Sequence, residues 1–301
     1  MKLGSLLIHG GILIDDLTFS GGRALEGLLG GAALYALAGA ALWNDDVLLI
    51  GGIGQDGDNI ILPWMRLNHL STVGLRIAGK FTPRNTLVYR SDGSRTETPV
   101  FGFDHFARLQ PGVDELVSRL PDARGAYIFR NTDLSFWTPV LRAVHTYSIT
   151  LLWEISSESC FPENRADIAT VCRGIAGLSL NLEEAVGIFG NHARQQLIED
   201  VRGLGASVTF LRCGAEGSIV IWAREASVVP AYPTSVVDVT GAGNAYGGGA
   251  LAGLIAGADP VRASHMGAIA ACFAVRQHGL FLPRDVTIRS DAGTFLGDPP
   301  S

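Results

Sequence analysis

Lysine is almost missing from this chain: Lys2 and Lys80 are the only two among 23 basic residues, and the other 21 are arginine. Charge of either sign is sparse, at 17% of 301 residues, and 29 carboxylates leave a net charge of −6. A protein that binds a phosphate backbone concentrates basic side chains into a stripe. No stripe exists here, so nucleic acid is excluded as the expected partner. Cysteine is also scarce. Cys160, Cys172, Cys213 and Cys272 are dispersed and form no CxxC pair, which argues against a zinc site or disulfide framework and for buried thiols in a reducing compartment. Long apolar runs are absent too. The uncharged stretch 239–258 is dominated by glycine and carries Thr240, Asn244 and Tyr246, so it lacks the sustained apolarity of a membrane span. The first residues show no signal-peptide cleavage pattern. The expectation is a soluble, cytoplasmic protein with no membrane partner.

What is present is core-forming material. At 47% hydrophobic, a chain of this length buries a substantial core, which excludes disorder and collagen-like or disulfide-stapled architectures. Strand-like runs at 6–8, 12–14, 47–50, 126–129, 149–153, 177–180 and 208–211 alternate with helical patterns at 32–43, 139–145, 184–189 and 193–204. That alternation predicts an α/β fold, a mostly parallel sheet with helices on both faces. Ligands of such sheets sit beyond the carboxyl ends of the strands. Residues 14–22 and 82–103 break the rhythm with polar, turn-rich, strand-like sequence, and Ser91-Asp92-Gly93-Ser94 reads as a hairpin turn. They form either a small lid sheet or an ordinary surface hairpin. Residues 290–301 read as loosely ordered.

The most informative segment runs from Asp238 through Thr240, Gly241, Ala242, Gly243, Asn244 and Tyr246 to Gly249. A glycine-rich turn feeding a small-residue helix aims several backbone N–H groups at one point, beside the positive end of the helix dipole. That arrangement binds anions, phosphate above all. Gly249, Gly253 and Gly257 recur every four residues, leaving a bare helix face predicted to pack on the sheet. A glycine-rich packing helix without a ligand is the plainer reading. A second segment, Gly52-Ile53-Gly54-Gln55-Asp56-Gly57, satisfies the dinucleotide pattern G-x-G-x-x-G. The acidic residue that should follow about twenty positions on is missing, since 67–81 contains no carboxylate.

The segment from Asp238 resembles the C-terminal signature of the PfkB (ribokinase-like) carbohydrate kinases, D-x-T-G-A-G-D-x-F-x-G-G. It departs from it twice: Tyr246 stands for phenylalanine and Asn244 for the second aspartate. Other segments match in order. Gly30-Gly31 before a helix resembles the family's glycine pair, with Tyr35 where asparagine is frequent. Residues 50–58 resemble G-x-V-G-x-D, Asn181 to Glu184 resembles N-x-x-E, and Arg212 to Gly217 resembles T-x-G-x-x-G with arginine for threonine. Residues 267–279 suit the helix that closes the adenine side. Residues 11–16, 152–154 and Asn244 resemble the fungal branch named for maintenance of killer toxin.

The resemblance implies a single three-layer α/β/α domain over residues 1–301, with a small β lid at 14–22 and 82–103 that also forms a homodimer interface in part of the family. It implies an ATP-dependent kinase acting on a hydroxyl of a sugar or nucleoside-like small molecule. Gly241, Ala242, Gly243 and Asn244 would supply the anion hole. Asn181, Arg212, Gly214 and Gly217 would contact the nucleotide, and Glu184 would hold a magnesium-bound water. Asp15, Gly30, Gly31, Tyr35 and Glu154 would meet the acceptor, and carbonyls near Asp238 and Thr240 would hold a monovalent cation such as K+. On its own, N-x-x-E is better read as a helix start with an acidic first turn; alongside the glycine turn the phosphate-site reading takes precedence.

Asn244 stands where the family's aspartate takes the acceptor's proton, and an amide cannot do so at neutral pH. A positioned base contributes roughly 100- to 10,000-fold. A slow kinase, a kinase with another base, and a nucleotide- or sugar-binding pseudokinase all remain open. Asp15, Asp16, Asp56 and Glu154 are the carboxylates available as substitutes. Glu154, at a strand's carboxyl end, either faces the site or stands exposed on a loop. Arg84, Arg90 and Arg95 either greet an acidic substrate or sit solvated on the surface.

Overall fold

Successive side chains leave opposite faces of a strand, and in the computed structural model, which describes residues 6–91 and 94–297, this alternation sorts the strands' residues into two cores. In chain order the elements are β1 (Leu6–His9), β2 (Leu13–Phe19), β3 (Ala24–Gly30), α1 (Ala32–Ala41), β4 (Val47–Gly54), α2 (Gly57–Leu67), β5 (Leu75–Gly79), β6 (Arg84–Tyr89), β7 (Arg95–Pro99), α3 (Phe103–Leu109) and α4 (Val113–Val117). They continue with β8 (Gly125–Arg130), α5 (Leu134–Tyr147), β9 (Thr150–Ile155), α6 (Arg165–Cys172), β10 (Gly177–Asn181), α7 (Leu182–Phe189), α8 (Arg194–Arg202), β11 (Val208–Arg212), β12 (Ser218–Trp222), β13 (Glu225–Val229), α9 (Ala242–Ile255), α10 (Pro260–Ala274) and α11 (Val286–Leu296).

Among the described residues nine strands form one sheet in the order β13-β12-β11-β10-β9-β8-β1-β4-β5. It is parallel from β11 to β5, and β12 and β13 continue it antiparallel. Leu6, Ile8, Leu49, Tyr127, Leu152 and Phe210 face the core shared with α1, α2, α9, α10 and α11. Their neighbours Leu7, Ile50, Ile128, Trp153 and Leu211 face the core shared with α4 to α8. The three-layer sandwich read from the sequence is therefore present. A second sheet of four strands has the order β3-β2-β6-β7: β2, β6 and β7 come from the two segments that broke the rhythm, and β3 (Ala24–Gly30) lies outside both and was not expected. In it β2 pairs antiparallel with β3 and parallel with β6. The centre of the hairpin turn, Asp92-Gly93, lies outside the described residues. No helix among the described residues is long and apolar enough to cross a membrane.

Two expectations need correcting. The glycine stripe of α9 packs on α10, not on the sheet. A Cβ on Gly249 would lie 2.8 Å from Met266 O, and one on Gly253 would lie 2.8 Å from Ala263 Cα. Gly257 lies past the helix, in open space with φ +84°. The sheet and α1 are met by Gly247 and Gly248 instead, where a Cβ would strike Tyr127 and the Ala36 carbonyl. The second correction is at the C-terminal side, where residues 286–296 form a helix. Asp285 caps it by accepting hydrogen bonds from the N–H groups of Thr287 (2.9 Å) and Ile288 (3.1 Å). Gly297, at φ +79°, ends it. Residues 298–301 lie outside the described residues.

Candidate active site

The first turn of α9 sits beyond the carboxyl ends of the central strands. Gly241 is its N-cap in the left-handed region, φ +75°, and a Cβ there would run into the ring of Tyr35. The N–H of Ala242 donates to Val239 O (3.2 Å) and that of Ala245 to Gly241 O (2.9 Å). The N–H groups of Gly243 and Asn244 have no acceptor among the described residues. An anion is what such a helix start lacks.

Just upstream, Asp238 and Thr240 tie the turn to the smaller sheet. Asp238 Oδ1 accepts from the Thr240 N–H (2.9 Å) and Oγ1 (2.7 Å), and Oδ2 lies 3.1 Å from His278 Nδ1. The Tyr89 hydroxyl reaches both oxygens at 3.3 Å, and Arg95 donates to Thr240 Oγ1. Burial raises the Asp238 pKa, but the hydrogen bonds from Thr240 and His278 outweigh it and hold the carboxyl below its usual value.

Between this turn and the smaller sheet lies a small cleft lined by Asp15, Leu17, Leu28, Tyr35, Leu87 and Asp238. Gly30 is required here because a side chain would occupy the Asp15 carboxylate's position. Gly31, the N-cap of α1 at φ +90°, is required because a Cβ would lie 2.5 Å from Gly11 O. Asp15 is 7% exposed. Burial, reinforced by Glu97, pushes its carboxyl up to about 7 against the pull of Arg95. The other carboxylates considered as substitute bases are engaged elsewhere. Asp16 pairs with Arg84 at 2.9 Å and accepts from the Gly27 N–H at 2.8 Å. Asp56 accepts from both the N–H and the hydroxyl of Thr82 at 2.7 Å. Arg84 is thus a structural partner within its own sheet. The G-x-G-x-x-G glycines are explained by packing: Cβ atoms on Gly52 and Gly54 would strike the backbone at Leu109 and at Phe81-Thr82.

Beneath α9 the ends of β8 to β11 carry a buried polar layer. Glu154 was expected at the acceptor or on an exposed loop. It is 3% exposed and bonded to the Arg212 guanidinium. Burial lifts its carboxyl to about 8 even though Arg212 pulls the other way. Arg212, opposite Asn181 in register, also lies 3.7 Å from Glu184, and its guanidinium fills the space a side chain on Gly243 would need. Asn181 and Glu184 form a capping box on α7: the Glu184 N–H donates to Asn181 Oδ1 (2.8 Å) and the Asn181 N–H to Glu184 Oε2 (2.7 Å). The helix-start reading of N-x-x-E therefore holds structurally, whatever else these side chains do. Gly214 and Gly217, with φ of +59° and +92°, turn β11 back into β12.

Two features were invisible in the sequence. The buried Tyr127 of β8 donates from its hydroxyl to Asn244 Oδ1 at 2.8 Å. Tyr246 finds Ser218 (3.1 Å) and Ser264 (2.6 Å) for its hydroxyl, which explains why tyrosine is accommodated at the phenylalanine position.

Residues 22–285 match the model of the pfkB family carbohydrate kinases. The chain belongs to that family. Among similar proteins, a cytidine kinase of Thermococcus kodakarensis is 26% identical, over 82% of this chain and 87% of that protein. An uncharacterised protein of Schizosaccharomyces pombe is 25% identical, over 90% and 84%. The fold is shared with a probable sugar kinase of Rhizobium etli CFN 42 (TM-score 0.78, 19% identity, 99% of each chain covered). It is shared also with an Arabidopsis thaliana ribokinase solved with ribose and ATP (TM-score 0.77, 18% identity, 98% of this chain and 99% of that one). The ribokinase-like fold is thus shown for this pfkB chain, and the glycine turn lies within the residues that match the family.

Proposed function

We propose that this chain is an ATP-dependent phosphotransferase that acts on a hydroxyl of a sugar or nucleoside-like small molecule. The observation that carries the reading is the pair of unsatisfied N–H groups at Gly243 and Asn244, at the positive end of a 14-residue helix and beside the Arg212 guanidinium. Donors fixed before the reaction, where charge develops, are the largest electrostatic contribution such a site makes. Gly241, Ala242, Gly243 and Asn244 form the anion hole. Asn181, Arg212, Gly214 and Gly217 contact the nucleotide, and Asp15, Gly30, Gly31 and Tyr35 meet the acceptor across the cleft. The smaller sheet acts as the lid, and a second copy of the chain docks through it.

Among the described residues no cluster of three or more His, Cys, Asp or Glu side chains is arranged to hold a metal directly. Glu184 uses Oε2 in its capping box and keeps Oε1, which fits a magnesium held through water. Magnesium bound with the nucleotide would neutralise charge on its phosphate oxygens. The backbone carbonyls of Asp238 and Thr240 accept no hydrogen bond among the described residues, which fits K+ there.

Asn244 favours a second reading, a nucleotide- or sugar-binding protein without turnover. ATP turnover by the native protein and by Asn244→Asp, against ribose, cytidine and fructose 6-phosphate, separates the two. Turnover by the native protein supports the first reading; acceptor-stimulated turnover confined to Asn244→Asp supports the second. Failure of calorimetry to detect MgATP uptake removes both.

A further inference from the structure

We propose that Tyr127 is a positioning residue that locks the Asn244 amide with Oδ1 turned to the sheet, so that position 244 offers the acceptor hydroxyl an N–H donor and no proton acceptor. The proposal rests on the kinase reading and adds a residue outside every recognised motif. Tyr127 is fully buried on β8, paired in register with Leu152. Its ring is covered by Gly247 of α9, where a Cβ would lie 2.7 Å from Tyr127 Cε2. The ring therefore cannot swing away while α9 is seated. The hydroxyl donates to Asn244 Oδ1 at 2.8 Å and has no other partner among the described residues. Burial, with the Glu154 carboxylate nearby, keeps the phenol protonated far above neutrality, so it remains a donor.

An amide has one accepting end and one donating end. With Oδ1 committed to Tyr127, the NH2 group is what a ligand meets. Asn244 thus orients an acceptor oxygen by donating to it and takes no proton from it. The same phenol would donate to a carboxylate at this position and hold it ionised.

Urea unfolding of the native protein, Tyr127→Phe, Asn244→Ala and the double variant tests the bond without reference to activity. A shared hydrogen bond predicts that the double variant falls short of the summed single effects by about five-fold in the folding equilibrium constant. Additive effects would overturn the proposal. The second arm compares Asn244→Asp with Tyr127→Phe/Asn244→Asp by the pH dependence of unfolding between pH 3 and 8. Loss of the phenol should raise the acid limb of the introduced carboxyl by about one pH unit, tenfold in proton affinity. An unmoved limb means that Tyr127 only fills space, and the proposal fails. With MgATP and whichever of ribose, cytidine or fructose 6-phosphate is turned over, Tyr127→Phe should lower kcat about ten-fold and leave KM for ATP unchanged. A raised KM at constant kcat contradicts it. If no variant turns over any of these acceptors, the kinase reading is what suffers, and the two unfolding arms still decide the role of Tyr127.

Discussion

The ring of Tyr35 lies against the α-carbon of Gly241, filling the volume that any side chain at 241 would need. Gly241→Ala therefore combines a steric collision with a left-handed backbone. We expect it to destabilise by about 2–3 kcal/mol and to abolish MgATP binding in calorimetry. In a Tyr35→Ala background the collision is gone, and adding Gly241→Ala there should cost only about 1 kcal/mol of backbone strain.

Removing Arg212 takes away the guanidinium that holds the Glu154 carboxyl down, so its value, about 8 in the native protein, should rise further in Arg212→Met. Arg212→Met should therefore lose stability relative to the native protein chiefly above about pH 8, where Glu154 would have to ionise without a cation, by up to about 3–5 kcal/mol. Adding Glu154→Gln should remove that alkaline loss in urea unfolding, because the amide does not titrate.

Asp15 predicts a pH dependence with a definite sign. Its folded carboxyl binds a proton more tightly than the unfolded one, with a pKa near 7 against 3.8. This contribution to stability is complete below about pH 4 and is lost as pH rises through about 7. Relative to Asp15→Asn, the native protein should lose on the order of 3 kcal/mol between pH 4 and 8. Parallel stability curves for the two proteins would show that the Asp15 carboxyl titrates as it does in the unfolded chain.

Tyr246→Phe should be mild. Ser218 and Ser264 lie 3.0 Å apart and keep each other as partners when the phenol is gone. A loss of about 1 kcal/mol or less in thermal or urea unfolding is expected.

Features carried by local sequence were legible, and those built from distant pairings were not. The strand-and-helix alternation announced the sandwich because each element's period is set by its own residues. The glycine turn was legible as the start of a helix because N-cap geometry is local. Tyr127, by contrast, lies in a run read only as a buried strand, and its partner is 117 residues away. Glu154 was placed at the correct strand end, but its role depends on Arg212 two strands across. The strand β3 escaped notice because its burial alternates only weakly, and no local pattern reveals that β2 and β6 run parallel. The helix at 286–296 did leave a signal, Asp285 before it and Gly297 after it, which its sparse apolar face, with Ala292 as its one fully buried residue, obscured.

Because Tyr89 of β6 reaches Asp238 and Arg95 of β7 donates to Thr240, the smaller sheet and the start of α9 are bonded to one another. Whatever shifts residues 238–240 therefore bears on those two strands through three short polar links.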